Sequence, residues 1–208
     1  KIPSISIIDH WNWYKKRFEF NGDLFYPDRI IINDEYARSE AIEDGIPKRM
    51  LVVGGNPQLE ELLTKSTGQF DASSWKLENN LPDGRLIAFI CESLKDDFPL
   101  GSRDYLGYDE FLVLEQILDI LPLDTTLLIK LHPEELEDKY KKYTAKNVFI
   151  MRDCPLGAMV SGIDLIVGMG SILLIELAML RKDIVSFRPE ATDSFVGEII
   201  DATHSARN

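Results

Sequence analysis

The stretch from residue 163 to residue 189 restricts the fold more than any other part of this chain. In order it gives a continuous apolar run (Ile163 to Val167), a small-residue break (Gly168, Met169, Gly170, Ser171), a second apolar run of helical length, and a third short run that ends before Pro189. Strand, turn, helix and strand make a βαβ unit, whose strands are parallel and whose crossover is right-handed. Gly168, Gly170 and Ser171 fall where strand gives way to helix. The first N–H groups of the helix have no intrahelical partner there, and the positive end of the helix dipole faces the turn. The turn is therefore a candidate anion site. Glu176 sits in an otherwise apolar helix, where a carboxylate needs a partner, either Arg181 or Lys182 nearby or a sugar hydroxyl.

The rest of the chain repeats the pattern. Strands are predicted at 86–90, 127–131 and 148–151, separated by helices at 111–121 and 134–143, the second strongly charged. Continuous apolar strands alternating with helices predict an α/β, Rossmann-like parallel sheet with helices on both faces. Upstream, strands are predicted at 4–9, 29–32 and 50–53, with a helix over 35–44 closed by Gly45. The polar stretch from Lys65 to Asp83 reads as a linker, giving three regions: residues 1–63, a connection over 64–84, and a second domain over 85–208. The chain has 208 residues and begins at Lys1, almost inside a strand, which suggests that upstream sequence is missing.

Charge narrows the choice of partners. Lys and Arg number 23 against 35 Asp and Glu, a formal charge of −12 that opposes attraction to nucleic acid or to an anionic membrane. The longest apolar stretch, Ile163 to Leu180, is broken by Asp164, two glycines and Glu176 and is not a membrane span. Cys91 and Cys154 share no metal-type spacing, three histidines supply no zinc cluster, and a reducing compartment fits.

In sheets of this kind ligands sit beyond the carboxyl ends of the strands, so the post-strand residues are the candidates. His132, before Pro133, can donate to a phosphate oxygen or can shape its own turn. Ser171 can cap the helix or touch a ligand, and the two uses are compatible. Arg152, in the segment to Leu156, can approach a base, and Arg188 can reach a diphosphate by a forked contact, though a surface ion pair is the default for any single arginine. The long connection from Glu92 to Tyr108 has the length of a substrate loop or a plain insertion. Asp9 and His10 end the first strand ahead of Trp11, Trp13, Tyr14, Lys15, Lys16 and Arg17. They can supply a general base beside an acceptor, or can belong to an aromatic cluster with a basic rim.

Three segments, in this order and spacing, carry a resemblance: Asp34 to Leu62 with Gly45-Ile46 and Val52-Val53-Gly54-Gly55-Asn56-Pro57; Lys130-Leu131-His132-Pro133; and Asp164 to Ser171 with Glu176-Leu177-Ala178. Together they resemble the two-domain GT-B glycosyltransferase architecture, in the branch of the UDP-N-acetylglucosamine 2-epimerases and CDP-glycerol glycerophosphotransferases. The resemblance implies that residues 1–63 end an acceptor-side domain and that residues 85–208 bind a nucleotide-activated sugar or polyol donor. It places His132 and Ser171 on the phosphates, Glu176 on the ribose hydroxyls and the loop from Arg152 to Leu156 on the base; Gly170 in the same turn, Arg188 at the diphosphate and Asp9 or His10 as base are read from the residues themselves. It implies a transferase of polysaccharide or cell-envelope synthesis acting on a saccharide or lipid-linked acceptor. The sequence itself requires no metal cofactor, and the expected setting is cytoplasmic, open to peripheral contact with the inner membrane face and to homodimer formation. The epimerases carry a glutamate-rich first strand end and a doubled acid in the last helix. Asp9-His10-Trp11 and Glu176-Leu177 depart from both, which favours transfer over the second possibility, a UDP-sugar 2-epimerase or hydrolase, with a non-catalytic nucleotide-binding module as the third.

Overall fold

A computed structural model describes residues 2–64, 70–180 and 183–189. The chain divides into two compact units, residues 1–65 and 66–208.

The first unit holds a parallel three-stranded sheet in the order β1 (Ile5–Ile7), β4 (Arg29–Ile32), β5 (Leu51–Val53). Between β1 and β4 lies a small hairpin, β2 (Glu19–Phe20) and β3 (Asp23–Leu24). Its turn is Asn21-Gly22, with φ of 52° and 84°, the pair of left-handed residues that matches the twist of a two-residue hairpin. Ile30 and Ile32 on β4 are buried and share the core with Ala37 and Ala41 of α1 (Glu35–Glu43), whereas Ile5 and Ile7 of β1 stay exposed. Both ends of α1 are fixed by local chemistry. Asp34 accepts from the Ala37 N–H at 2.7 Å, satisfying one of the free amides of the first turn. At the other end Gly45 adopts φ 95°, its N–H reaching Ile42 O and that of Ile46 reaching Ala41 O, a Schellman closure. A second helix, α2 (Pro57–Thr64), follows β5.

The second unit contains a five-stranded, all-parallel sheet. Its strands are β6 (Arg85–Ile90), β7 (Thr125–Lys130), β8 (Val148–Met151), β9 (Leu165–Gly168) and β10 (Ile184–Ser186), in the spatial order β10-β9-β6-β7-β8. The order runs outward from β6 in both directions, so the sheet reverses between β6 and β9, the place where such folds open a crevice. Every residue of β6 after Arg85 is buried, as are Thr125 to Ile129 of β7, as expected of strands covered on both faces. Helix α5 (Glu110–Ile120) buries Val113, Leu114 and Ile117 against β6 and β7, and α6 (Ile172–Leu180) buries Leu174, Ile175, Leu177 and Ala178. At Gly168 an added Cβ would stand 3.1 Å from a Leu174 methyl, so the missing side chain lets α6 pack close to β9.

Two expectations fail. The charged helix predicted over 134–143 is replaced by two single 3-10 turns, Glu137–Lys139 and Lys141–Tyr143. Tyr140 between them is fully buried and Lys139 is drawn inward onto acidic partners, so tertiary contacts override the helical propensity of the segment. The predicted linker contains a helix, α3 (Ala72–Glu78), capped by Asp71, whose carboxylate accepts from the Ser74 N–H at 3.0 Å. Trp75 of α3 is buried, 3.4 Å from the position a Cβ would take at Gly162 in the π-helical turn Ala158–Gly162. These residues therefore belong to the body of the second unit. A further short helix, α4 (Leu94–Asp97), lies in the long connection after β6.

Candidate functional site

The carboxyl ends of the strands in the second unit bring together Glu92 after β6, His132 after β7, Arg152 after β8, residues 169–171 after β9 and Arg188 after β10. The strands carrying His132 and Gly170 flank β6 on its two sides. With Ile90 level with Lys130 and Phe89 level with Val167, the two positions lie along one sheet edge two strand spacings apart, roughly 10 Å.

The turn before α6 has the form expected of an oxyanion cradle. Ser171 caps the helix, its Oγ accepting from the Leu174 N–H at 3.3 Å, so its commonest use is realised. The amides of Met169 and Gly170 point to a single oxygen, Glu92 Oε1, which accepts from them at 3.2 and 2.7 Å. Glu92 belongs to the long loop noted in the sequence, but its place in the cradle was not anticipated. A carboxylate immediately after a wholly apolar strand, at the sheet's reversal point, is the signal that could have found it. Burial pushes the Glu92 carboxyl above the usual carboxylate range, against the opposing pull of the Gly170, Ser171 and Met169 amides and the Arg188 charge.

His132 is held by its own loop. The Glu134 N–H donates to its Nδ1 at 3.4 Å and its backbone N–H donates to Glu135 Oε2 at 3.2 Å. With Nδ1 accepting, the neutral ring carries its proton on Nε2, which becomes the donor available to an anion. The Arg152 guanidinium donates to the carbonyls of Pro133 and Glu135. It thus braces the His132 loop from β8, a role the sequence reading did not include. Beneath that loop lies a buried charge network. The Lys139 ammonium sits 2.6 Å from Glu110, 2.7 Å from Glu135 and 3.1 Å from Asp96, while the Tyr140 hydroxyl donates to Glu135 at 2.7 Å. Burial opposes the Lys139 charge, but its hydrogen bonds to Glu110, Glu135 and Asp96 win and its net shift is upward. Ser93, Asp96, Glu134, Glu135 and Lys139 line a neighbouring cavity of about 320 Å³.

Glu176 is half-buried on α6, and Arg181 and Lys182, weighed as its partners, lie outside the described residues. Arg188 is half-buried beyond β10. Among the described residues no cluster of His, Cys, Asp and Glu is arranged to hold a metal ion, and no helix is long and apolar enough to cross a membrane.

In the first unit, Asp9 and His10 follow β1 and bond to each other, Nδ1 to Oδ1 at 2.6 Å. That bond holds the Asp9 carboxyl below its ordinary range. A carboxylate only accepts, so Nδ1 donates and Nε2 of the neutral ring is left as an acceptor, the arrangement a general base requires. Trp11 and Tyr14 are buried, with Trp11 Nε1 donating to Asp34 at 2.9 Å, while Trp13 is exposed with the Lys16 ammonium 5.2 Å from its ring centre. Both the aromatic cluster and its basic rim are present.

The fold of parallel Rossmann-like sheets is of the GT-B type, as its likeness to solved structures shows. The solved structures it resembles include the UDP-GlcNAc 2-epimerase of Neisseria meningitidis bound to UDP-GlcNAc, with a TM-score of 0.53 at 13% identity over 87% of this chain and 52% of that one. The epimerase of Methanocaldococcus jannaschii in complex with UDP-GlcNAc and UDP gives 0.57 at 15% identity over 83% and 48%. HepE of Anabaena, in complex with UDP and glucose, gives 0.57 at 12% identity over 99% and 63%. The chain spans about half the length of the epimerases it matches. No protein-family model matches it, and no curated protein does.

Proposed function

We propose that the second unit binds the diphosphate of a nucleotide-activated sugar at the carboxyl edge of its sheet, and that the whole protein is a GT-B transferase of polysaccharide synthesis. The observation that carries the site is the pair of amides at Met169 and Gly170, which already hold one carboxylate oxygen and so have the spacing and charge an oxyanion needs. His132 Nε2 donates to the same group from across β6, Arg188 adds positive charge, and Glu176 takes the ribose hydroxyls. In transfer, these donors stabilise the charge that develops on the departing nucleoside diphosphate. Asp9 and His10 supply the base for the acceptor hydroxyl, the carboxylate fixing the tautomer that leaves Nε2 free.

A second reading, a UDP-sugar 2-epimerase, is favoured by the epimerases of the same fold whose structures hold UDP-GlcNAc. Product analysis distinguishes the two. Incubation with UDP-GlcNAc and a saccharide acceptor gives a glycosylated acceptor and UDP in the first case, and a 2-epimer without acceptor in the second.

Calorimetry with UDP, UDP-GlcNAc, CDP and ADP tests the binding site itself. His132→Ala is expected to weaken the best ligand about 10- to 100-fold, the range for losing a hydrogen bond to a charged group. Unchanged affinity in that variant removes His132 from the site, and no binding of any nucleotide removes the reading.

A further inference from the structure

The amide cradle that would receive phosphate holds a side chain of the protein itself. Glu92 leaves the end of β6, and its Oε1 takes the Gly170 N–H at 2.7 Å and the Met169 N–H at 3.2 Å. A carboxylate oxygen on two consecutive amides has the charge and reach of a phosphate oxygen in the same place. Two anions cannot share those donors, because at contact distance in a half-buried site their repulsion exceeds what either gains.

We propose that Glu92 is an autoinhibitory stand-in for the ligand's phosphate, which must swing out of the amide cradle before a nucleotide diphosphate can enter. This rests on the diphosphate reading of residues 169–171 given above. Affinity at this site is then a competition between an internal and an external oxyanion. The internal one has the advantage of being tethered, since the short side chain keeps it at high effective concentration. Glu92 is only half-buried, so rotation about its own side-chain bonds brings the carboxylate to solvent without unfolding β6. The covalent reach is one-sided: Glu92 starts on β6, the strand between the cradle and His132, so its departure clears the edge that the ligand must span.

The charged groups around it set the pH behaviour. Arg188 beyond β10 acts on Glu92, α6 presents the amides of 169–171, and His132 stands on the β7 side. Burial raises the Glu92 carboxyl while it sits in the cradle, and swinging out to solvent returns it toward the ordinary carboxylate range, so binding releases a proton there and this contribution weakens as pH falls.

The test is calorimetry on the full chain at pH 8 and pH 5.5 with UDP-GlcNAc, a diphosphate diester whose charge is constant over that range. Glu92→Gln keeps the shape without the charge. Glu92→Asp keeps the charge but is one methylene too short to reach the amides. Both are expected to bind roughly 10- to 100-fold tighter than wild type at pH 8, with Glu92→Gln losing most of the pH dependence. Equal affinity in all three proteins overturns the competition while leaving the site reading intact. Weaker binding in Glu92→Gln also overturns it, making Glu92 a ligand contact. Binding in none of them, with melting curves showing all three folded, ends the site reading and the inference together.

Discussion

Replacing Lys139 by methionine keeps the aliphatic stem and removes the charge from the network beneath the His132 loop. The ammonium is 2.6 Å from Glu110 and 2.7 Å from Glu135, whose side chains are 0% and 2% exposed, and 3.1 Å from the largely exposed Asp96. The Asp96 contact is screened by water and contributes little. The two buried carboxylates decide the outcome, because without the cation they remain charged in a desolvated place. Breaking a buried pair in this way costs about 3–5 kcal/mol. For a unit of this size that is a fall in Tm of roughly 10–20 °C. The remaining donors do not replace it: Glu110 keeps the Lys95 N–H at 2.8 Å, and Glu135 keeps the Tyr140 hydroxyl and the His132 N–H. Urea unfolding at pH 8 and pH 5 is the assay. The deficit of Lys139→Met should show in full at pH 8, where the wild-type charge is complete. In wild type the Lys139 charge is complete below the ordinary lysine value near 10.4, and its raised position in the fold moves its loss to still higher pH. It therefore contributes no slope between pH 5 and 8. A deficit below about 1 kcal/mol at pH 8 would refute the view that Lys139 is the counter-charge of the buried acids.

Further expectations follow from the same geometry. Ser171→Ala should destabilise the second unit by about 0.5–2 kcal/mol through loss of the α6 cap, read by urea unfolding, and should affect nucleotide affinity less than His132→Ala does. Burial pushes the Cys154 thiol up to about 11 and the buried Cys91 thiol higher still, so roughly one Cys154 in a thousand is thiolate at pH 8. Neither should react readily with iodoacetamide at that pH in the folded protein, while both should react promptly in denaturant. Rapid modification of the native chain, followed by mass spectrometry, would count against their burial.

The apolar runs of β6, β7 and β9 and the helix after Gly170 were readable from the chain, because a strand covered on both faces has to be apolar throughout and a small-residue break marks the end of β9. Residue pattern alone indicated the parallel α/β class and the Gly45 closure of α1 and offered the cap at Ser171 as one of two uses, since the caps depend on neighbours within a few positions. What surrounds a side chain from distant sequence was not readable. Glu92 and Gly170 are 78 residues apart, and only the sheet order β9-β6-β7 sets one beside the other. Arg152 is a candidate ligand contact by sequence, but its hold on the carbonyls of Pro133 and Glu135 is visible only in the fold. The segment 134–143 carried the signs of a charged helix, yet Glu110, contributed by α5, gave Lys139 an inward partner and Tyr140 went in with it. Local sequence sets which backbone shapes are cheap, whereas the pairing of buried charges depends on which strands lie side by side, and that is decided only when the sheet assembles.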